Sequence, residues 1–273
     1  MGFFLGGLLL TVVGFQTATL LLAGLVATAL AVVLVLMHGD LGRPNTAAKF
    51  AQMFSNSRAV NVLAGARIFL FASRDVWFVV GVPVFLRTEL GWTFWQVGAF
   101  LAVWVIGYGV VQASAPRLVQ RRAHEGAPPD GSSAVAPFGD LQQRLNRKVV
   151  DAKTMAAFPA AIAVGLAADL DPTAVVVGGL LLFGVVFALN SAVHSYLILS
   201  YADGDKVAMN VGFYYMANAG GRLSGTVLSG LLYQWQGLEA CLWASVVLVL
   251  SAGLLSLMLP AGERLAAGAP ALR

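Results

Sequence analysis

The chain has 273 residues, of which 59% are apolar and only 11% carry a charge. Soluble domains usually carry about 25% charged residues, so this composition indicates a membrane protein that crosses the bilayer several times. The basic residues behind the net charge of +4 lie between apolar stretches, which argues against a nucleic-acid-binding face. One cysteine and three scattered histidines predict no disulfide, no metal site and no cofactor.

Apolar stretches recur along the chain at lengths that suit membrane-crossing helices, and they predict an all-α polytopic membrane protein. The predicted spans are, in chain order, 2–13, 16–38, 61–86, 92–113, 152–169, 173–199, 209–235 and 238–259. The first is too short for a hydrocarbon core of ~30 Å, so we expect it to be the tail of a helix whose beginning is missing. The predicted connections are 39–60, a cytoplasmic loop at 114–151 and a tail at 260–273. Within the loop, the segment HEGAPPDGSSAVAPFGD is rich in Pro, Gly and Ser, which is typical of a flexible linker.

The distribution of Lys and Arg predicts the orientation of these spans. If 39–60 is cytoplasmic, alternation places 114–154, 201–208 and the C-terminus on the same side. Thirteen of the 17 Lys and Arg lie in these four regions, and only Arg87 lies on the opposite side. We therefore expect a protein of the cytoplasmic (inner) membrane with a cytoplasmic C-terminus.

The predicted span 61–86 carries three charges, Arg67, Arg74 and Asp75. A charge near mid-membrane costs about 3 kcal/mol or more, so such residues usually face a protein interior or a wet cavity. As one helix, the span places both arginines on one face with Phe71 between them, which suits the wall of an anion pathway. The alternatives are that Asp75 neutralises an arginine for insertion, or that Arg67 snorkels to the interface.

The predicted span that precedes the last one offers a second cationic group. Tyr215, Asn218 and Arg222 lie within about 60° of one another on a helix, and a cation beside an amide suits an oxyanion. Gly221 and Gly225 would allow a neighbouring helix to approach closely.

Further polar residues predict supporting and coupling roles. An unperturbed histidine has a pKa of about 6.5, which makes His194 a candidate for proton coupling, with Asp75 as its rival. A local hydrogen bond near a helix end is the alternative for His194. Asn190 lies one turn before His194. Tyr108 and Gln112 lie one turn apart on another span, where core packing competes with a supporting role.

The motifs of several enzyme classes are absent from the sequence. It has no GxxxxGK[ST], and therefore no signal for a nucleotide-driven pump. It also lacks HExxH and GxSxG, the signals for metalloproteases and serine hydrolases. The sequence therefore predicts that the protein is not an enzyme.

Three stretches resemble one family, the ArsJ organoarsenical efflux permeases of the major facilitator superfamily. They are NVLAGARIFLFASRDVWFVVGVPVFL with GWTFWQVGAFLAVWVIGYGVVQASAP, then GGLLLFGVVFALNSAVHSYLILSYADGDKV, and VGFYYMANAGGRLSGTVLSGLLYQW. The family fold has two six-helix bundles. The resemblance implies that 1–38 end the N-terminal bundle, that 39–60 form the cytoplasmic connection, and that 61–259 form the C-terminal bundle, in an N-terminally truncated chain.

The resemblance also implies a substrate, 1-arseno-3-phosphoglycerate, which forms when glyceraldehyde-3-phosphate dehydrogenase accepts arsenate. Its export, by exchange for protons, would confer arsenate resistance. Guanidinium groups pair well with such oxyanions, so the expected substrate-binding residues are Arg67, Arg74, Tyr215, Asn218 and Arg222. The alternatives are a general organophosphate or sugar-phosphate carrier and a membrane fragment that does not transport.

Overall fold

The computed structural model describes residues 2–36, 58–125, 152–201 and 207–258. Their regular structure is α-helical, and the helices in chain order are α1 (Gly2–Leu36), α2 (Arg58–Phe78), α3 (Gly81–Thr88), α4 (Phe94–Glu125), α5 (Ala152–Ala167), α6 (Pro172–Tyr201) and α7 (Val207–Ser256). The predicted tail 260–273, and most of the predicted connections 39–60 and 114–151, lie outside the described residues.

Five helical stretches among the described residues are long and apolar enough to cross a membrane. They are Phe4–Leu36, Val60–Thr88, Phe94–Ser114, Pro172–Ala192 and Val211–Ser256, and α5 is a shorter apolar helix. The chain is therefore an all-α polytopic membrane protein, as its composition predicts.

The chain divides into two compact units. One consists of Met1–Met53 with Leu86–Ile106, and the other of Phe54–Phe85 with Gly107–Arg273. The predicted assignment of 1–38 and 61–259 to two bundles stays a prediction.

In the first unit, α1 is interrupted at Gly14, which has a φ of 75° and a ψ of 171°. Glycine reaches positive φ without the steric cost that a Cβ imposes. The break lies between the predicted spans 2–13 and 16–38.

The prediction of a single helix over 61–86 is wrong. Val79 and Val80 form a turn that separates α2 from α3. Pro83 explains it, because a proline has no N–H for the carbonyl four residues earlier and its ring clashes with that carbonyl. The Gly81 amide, which follows this turn, donates a 3.1 Å hydrogen bond to the Ser229 hydroxyl of α7.

The apolar stretch of α4, Phe94–Ser114, agrees with the predicted span 92–113, but the helix does not end with it. Helix α4 continues to Glu125, so the first part of the predicted loop is helical. The apolar pattern ends near 113, but the residues that follow include Arg, Gln, Leu and Ala, which favour helix. Hydropathy therefore locates the end of the span and misses the end of the helix.

Helices α5 and α6 form a hairpin whose second helix is started by local side chains. The Asp171 carboxylate accepts a 2.6 Å hydrogen bond from the Ala174 amide. An aspartate cap followed by proline, here Pro172, is a typical helix start. Both helices match the predicted spans to within two residues at each end.

Helix α7 folds back on itself at Gln236 and Gly237, whose backbone angles are not helical. Its contacts with α2 and α3, in order along α7, are Gly221 with Ile68, Gly225 with Ala72, Ser229 and Leu238 with Gly81, Ser245 with Ser73, and Leu255 with Gly65. The first half therefore runs parallel to α2 and the second half antiparallel to it. This reversal agrees with the predicted spans 209–235 and 238–259.

Two glycines set the distance between α2 and the first half of α7. A Cβ on Gly221 would overlap the backbone of Ile68, and one on Gly225 would lie 2.8 Å from the Ala72 carbonyl oxygen. The two backbones therefore touch at both glycines, as the glycine spacing predicts.

We expect Gly221→Ala to lower the free energy of unfolding by about 1–3 kcal/mol, the usual cost of overpacking. Gly220→Ala is the matched control, because a Cβ there meets no atom within 4 Å. It should leave stability unchanged or raise it by up to about 1 kcal/mol, since alanine favours helix over glycine. Unfolding by dodecyl sulfate in mixed micelles measures both variants, and equal effects would contradict the tight contact.

Candidate functional site

The charged residues of α2 and α7 meet in one ion cluster, formed by Arg74, Asp75 and Arg222 and called here the Asp75 cluster. Arg74 Nε donates to Asp75 Oδ1 at 2.6 Å, and Arg222 Nε donates to Asp75 Oδ2 at 3.2 Å. The Asp75 side chain is 1% exposed, whereas that of Arg222 is 59% exposed. One buried carboxylate therefore holds two guanidinium groups from different helices.

Glycine packing places Arg222 beside Asp75. A Cβ on Gly225 would lie 3.0 Å from the Asp75 Cβ, so α7 is in van der Waals contact with α2 at this level. Arg222 lies three residues before Gly225, less than one helical turn away. Its side chain reaches Asp75 because the backbones are this close.

The Asp75 cluster carries a net positive charge, since two guanidinium groups share one carboxylate. In the described part of the chain, Asp75 is the only buried carboxylate. A guanidinium has five N–H donors in a planar fork, and the contact of Arg222 with Asp75 uses only its Nε. The remaining donors of this half-exposed side chain are suited to a second oxyanion.

Arg67 and Arg74 both contact the ring of Phe71. The Arg67 Cζ lies 4.0 Å from the ring centroid, and the Arg74 Cζ lies 5.1 Å from it. A desolvated cation–π contact contributes about 2 kcal/mol. The predicted cation–aromatic alternation along α2 is thus observed at Phe71.

Arg67 is 3% exposed and lies inside the protein. Its Nη1 donates a 3.3 Å hydrogen bond to the Ser191 carbonyl of α6, and its Cζ lies 4.8 Å from the Tyr214 ring centroid. The snorkelling alternative is therefore wrong for Arg67, because its guanidinium points to other helices.

Aromatic rings of α2 and α6 enclose the inner side of Arg74. Phe187 packs edge-on against Phe71 at 5.4 Å, and its centroid lies 5.2 Å from the Arg74 Cζ. The buried row continues with Phe183, whose ring centroid lies 5.5 Å from that of Phe187. Trp77 follows, with its ring centroid 5.2 Å from that of Phe183. This apolar wall leaves the Arg222 side of the cluster as its exposed side.

The other residues predicted on α7 lie on the same face as Arg222. Tyr215 is exposed, and Asn218 is half-buried with its Oδ1 lacking a hydrogen-bond partner among the described residues. The structure contains no contact that joins either of them to Asp75. Their predicted role in binding stays a prediction.

The predicted supporting residues take separate positions. Asn190 is buried and its Nδ2 contacts Met155 Sδ at 3.0 Å, while the Tyr108 ring packs on Phe187 at 6.1 Å. Gln112 is half-buried on the same helix as Tyr108. His194 is buried and interacts electrostatically with Arg67.

Three residues of the site were not singled out from the sequence: Phe187, Ser191 and Tyr214. The sequence contains a signal for two of them. Ser191 lies one turn before His194, and Tyr214 lies one turn before Asn218. Phe187 gives no such signal, because an aromatic residue in an apolar span is usually part of the core.

No protein-family model, curated protein or solved structure matches the chain. The resemblance to the ArsJ permeases stays a prediction from the sequence.

We expect Asp75→Asn to lower the free energy of unfolding by about 3 kcal/mol or more, because it leaves the buried Arg74 without its counter-charge. Arg222→Gln should cost less than about 1 kcal/mol, since Asp75 keeps its bond to Arg74 and Arg222 is well exposed. Unfolding by dodecyl sulfate in mixed micelles measures both. A larger loss for Arg222→Gln would contradict Asp75 as the centre of the cluster.

Proposed function

We propose that this chain is a secondary transporter, or its anion-binding half, that exports a small organic oxyanion across the cytoplasmic membrane. The observation that carries the proposal is Arg222, which lies in a membrane-spanning stretch, is 59% exposed and is bonded to the buried Asp75. A charge at such a position faces a protein interior or a water-filled cavity and marks a substrate or ion pathway.

The charge of the cluster supports an anion as the substrate. The two guanidinium groups of Arg74 and Arg222 share the single carboxylate of Asp75, which leaves one positive charge in excess. Guanidinium forks bind phosphate and arsenate oxygens through paired hydrogen bonds. A cationic substrate would be repelled by the same groups.

The geometry supports a way for the substrate to bind and leave. An incoming oxyanion competes with Asp75 for Arg222, whose bond to Asp75 is longer and more exposed than that of Arg74. Release of the oxyanion restores the Arg222–Asp75 bond. By alternating access, the site faces the two sides of the membrane in turn.

The resemblance to the ArsJ permeases names the ester, 1-arseno-3-phosphoglycerate, and the dehydrogenase that would supply it. The cysteine content supports an arsenate ester over arsenite, because trivalent arsenic prefers thiolate ligands. The chain has one cysteine, Cys241, which is buried and contacts the Ser229 carbonyl at 3.6 Å.

We expect the chain to raise the arsenate tolerance of arsenate-sensitive cells only when glyceraldehyde-3-phosphate dehydrogenase is co-expressed. Arg74→Gln and Arg222→Gln should reduce export at low substrate by about tenfold or more, the effect of one lost hydrogen bond to a charged group. The measurement is arsenical efflux from loaded cells at matched membrane levels of each variant.

Arg87→Gln is the matched control, because Arg87 is exposed, bonds to the Trp92 carbonyl, and lies outside the Asp75 cluster. It should export normally. Resistance without the dehydrogenase would favour a general organophosphate carrier. Normal export by both cluster variants would refute the proposed site.

The orientation can be tested with single cysteines in a Cys241→Ser background. We expect a membrane-impermeant maleimide to label Glu89→Cys in intact cells, since the short connection at 87–91 is predicted to face outward. Asp130→Cys should be labelled only after permeabilisation. The opposite pattern would invert the proposed topology.

A further inference from the structure

A second polar cluster lies apart from Asp75 and is buried more completely. Arg67 is 3% exposed, Ser191 1% and His194 8%. Within the described residues, Arg67 Nε, Ser191 Oγ and His194 Nδ1 have no hydrogen-bond partner. We call these three residues the Arg67 cluster.

The members of the Arg67 cluster are neighbours. Arg67 Nη1 lies 3.3 Å from the Ser191 carbonyl oxygen, His194 follows Ser191 by three residues, and Arg67 interacts electrostatically with His194. Three unmatched polar atoms thus occur in one buried region between α2 and α6. The Phe71 ring contacts both arginines of α2, and Arg67 has no ion pair with a carboxylate of the described residues.

Leaving these groups unmatched is costly. A buried polar atom without a partner costs about 1–3 kcal/mol, and a charged group costs more. Buried charges in proteins are usually paired, yet the guanidinium of Arg67 contacts a carbonyl and two aromatic rings, and no carboxylate of the described residues. Water would satisfy the hydrogen bonds without neutralising the guanidinium, and a cation would be repelled by it.

We propose that the Arg67 cluster binds a small inorganic anion that remains in the protein and is distinct from the transported ester. The Arg67 Nε–H and the Ser191 hydroxyl donate to the anion, and the His194 Nδ1–H donates in the tautomer that carries its proton there. The anion neutralises Arg67 and links α2 to α6. Chloride and inorganic phosphate share the required chemistry.

The test uses the purified full chain in detergent at constant ionic strength, with gluconate replaced stepwise by chloride, nitrate or phosphate. Unfolding temperature is followed by tryptophan fluorescence. A ligand that binds only the folded state raises this temperature with a saturable dependence on concentration. We expect such a rise with at least one of the three anions. The anion that raises the unfolding temperature at the lowest concentration distinguishes a halide site from an oxyanion site.

The variants locate the site. Arg67→Gln should remove the anion dependence, and Arg87→Gln, which removes the same charge elsewhere, should retain it. Ser191→Ala should weaken the apparent affinity by about tenfold, the effect of one hydrogen bond to a charged group. Ser191→Ala also keeps the proposal testable if Arg67→Gln does not fold, since it leaves the charge in place.

Two results would overturn the proposal. One is an unfolding temperature that does not depend on any of the three anions in the unmodified chain. The other is an anion dependence that survives Arg67→Gln or Ser191→Ala unchanged. If Arg222→Gln then removed it, the anion would be assigned to the Asp75 cluster. Because the measurement follows unfolding of the purified chain and not transport, failure of export in cells leaves its outcome unaffected.

Discussion

The bond of one buried carboxylate to two guanidinium groups is the interaction on which this structure depends. Asp75 balances Arg74 of its own helix and holds Arg222 of α7. Loss of the Asp75 charge would leave the buried Arg74 unpaired in a membrane-spanning region, where a lone charge is expensive. The contact exists because Gly225 lets the α7 backbone touch α2 beside Asp75. Helix packing and electrostatics therefore specify the same arrangement.

The aromatic rings divide the cations of α2 into two environments. Phe71 contacts both Arg67 and Arg74, and Phe187 packs against Phe71 and Arg74. Arg74 belongs to the Asp75 cluster, which the exposed Arg222 leaves open to an oxyanion. Arg67, which also contacts the Phe71 ring, is enclosed and lacks a carboxylate among the described residues. Cations that look equivalent along the sequence thus differ in solvent access and counter-charge, which supports separate roles for them.

Much of the fold could be predicted because hydropathy and turn residues are local signals. Gly14 and the break at Gln236–Gly237 occur between predicted spans, since glycine marks positions where a helix reverses or kinks. The features that the sequence analysis missed were local as well. The effect of Pro83 on the carbonyl of Val79 was overlooked. The continuation of α4 beyond its apolar span was not predicted, because helix formation needs no apolar side chains beyond the membrane.

The sequence by itself determined that the chain crosses a membrane, where most of its spans lie, and that three arginines and one aspartate lie within them. Composition and periodicity suffice for this, because a bilayer selects apolar helices of a fixed length. Only the tertiary structure decided which charges pair. Asp75 and Arg222 are 147 residues apart, and their contact depends on a parallel register between α2 and α7 that no local pattern specifies. The same register leaves Arg222 exposed and Arg67 enclosed.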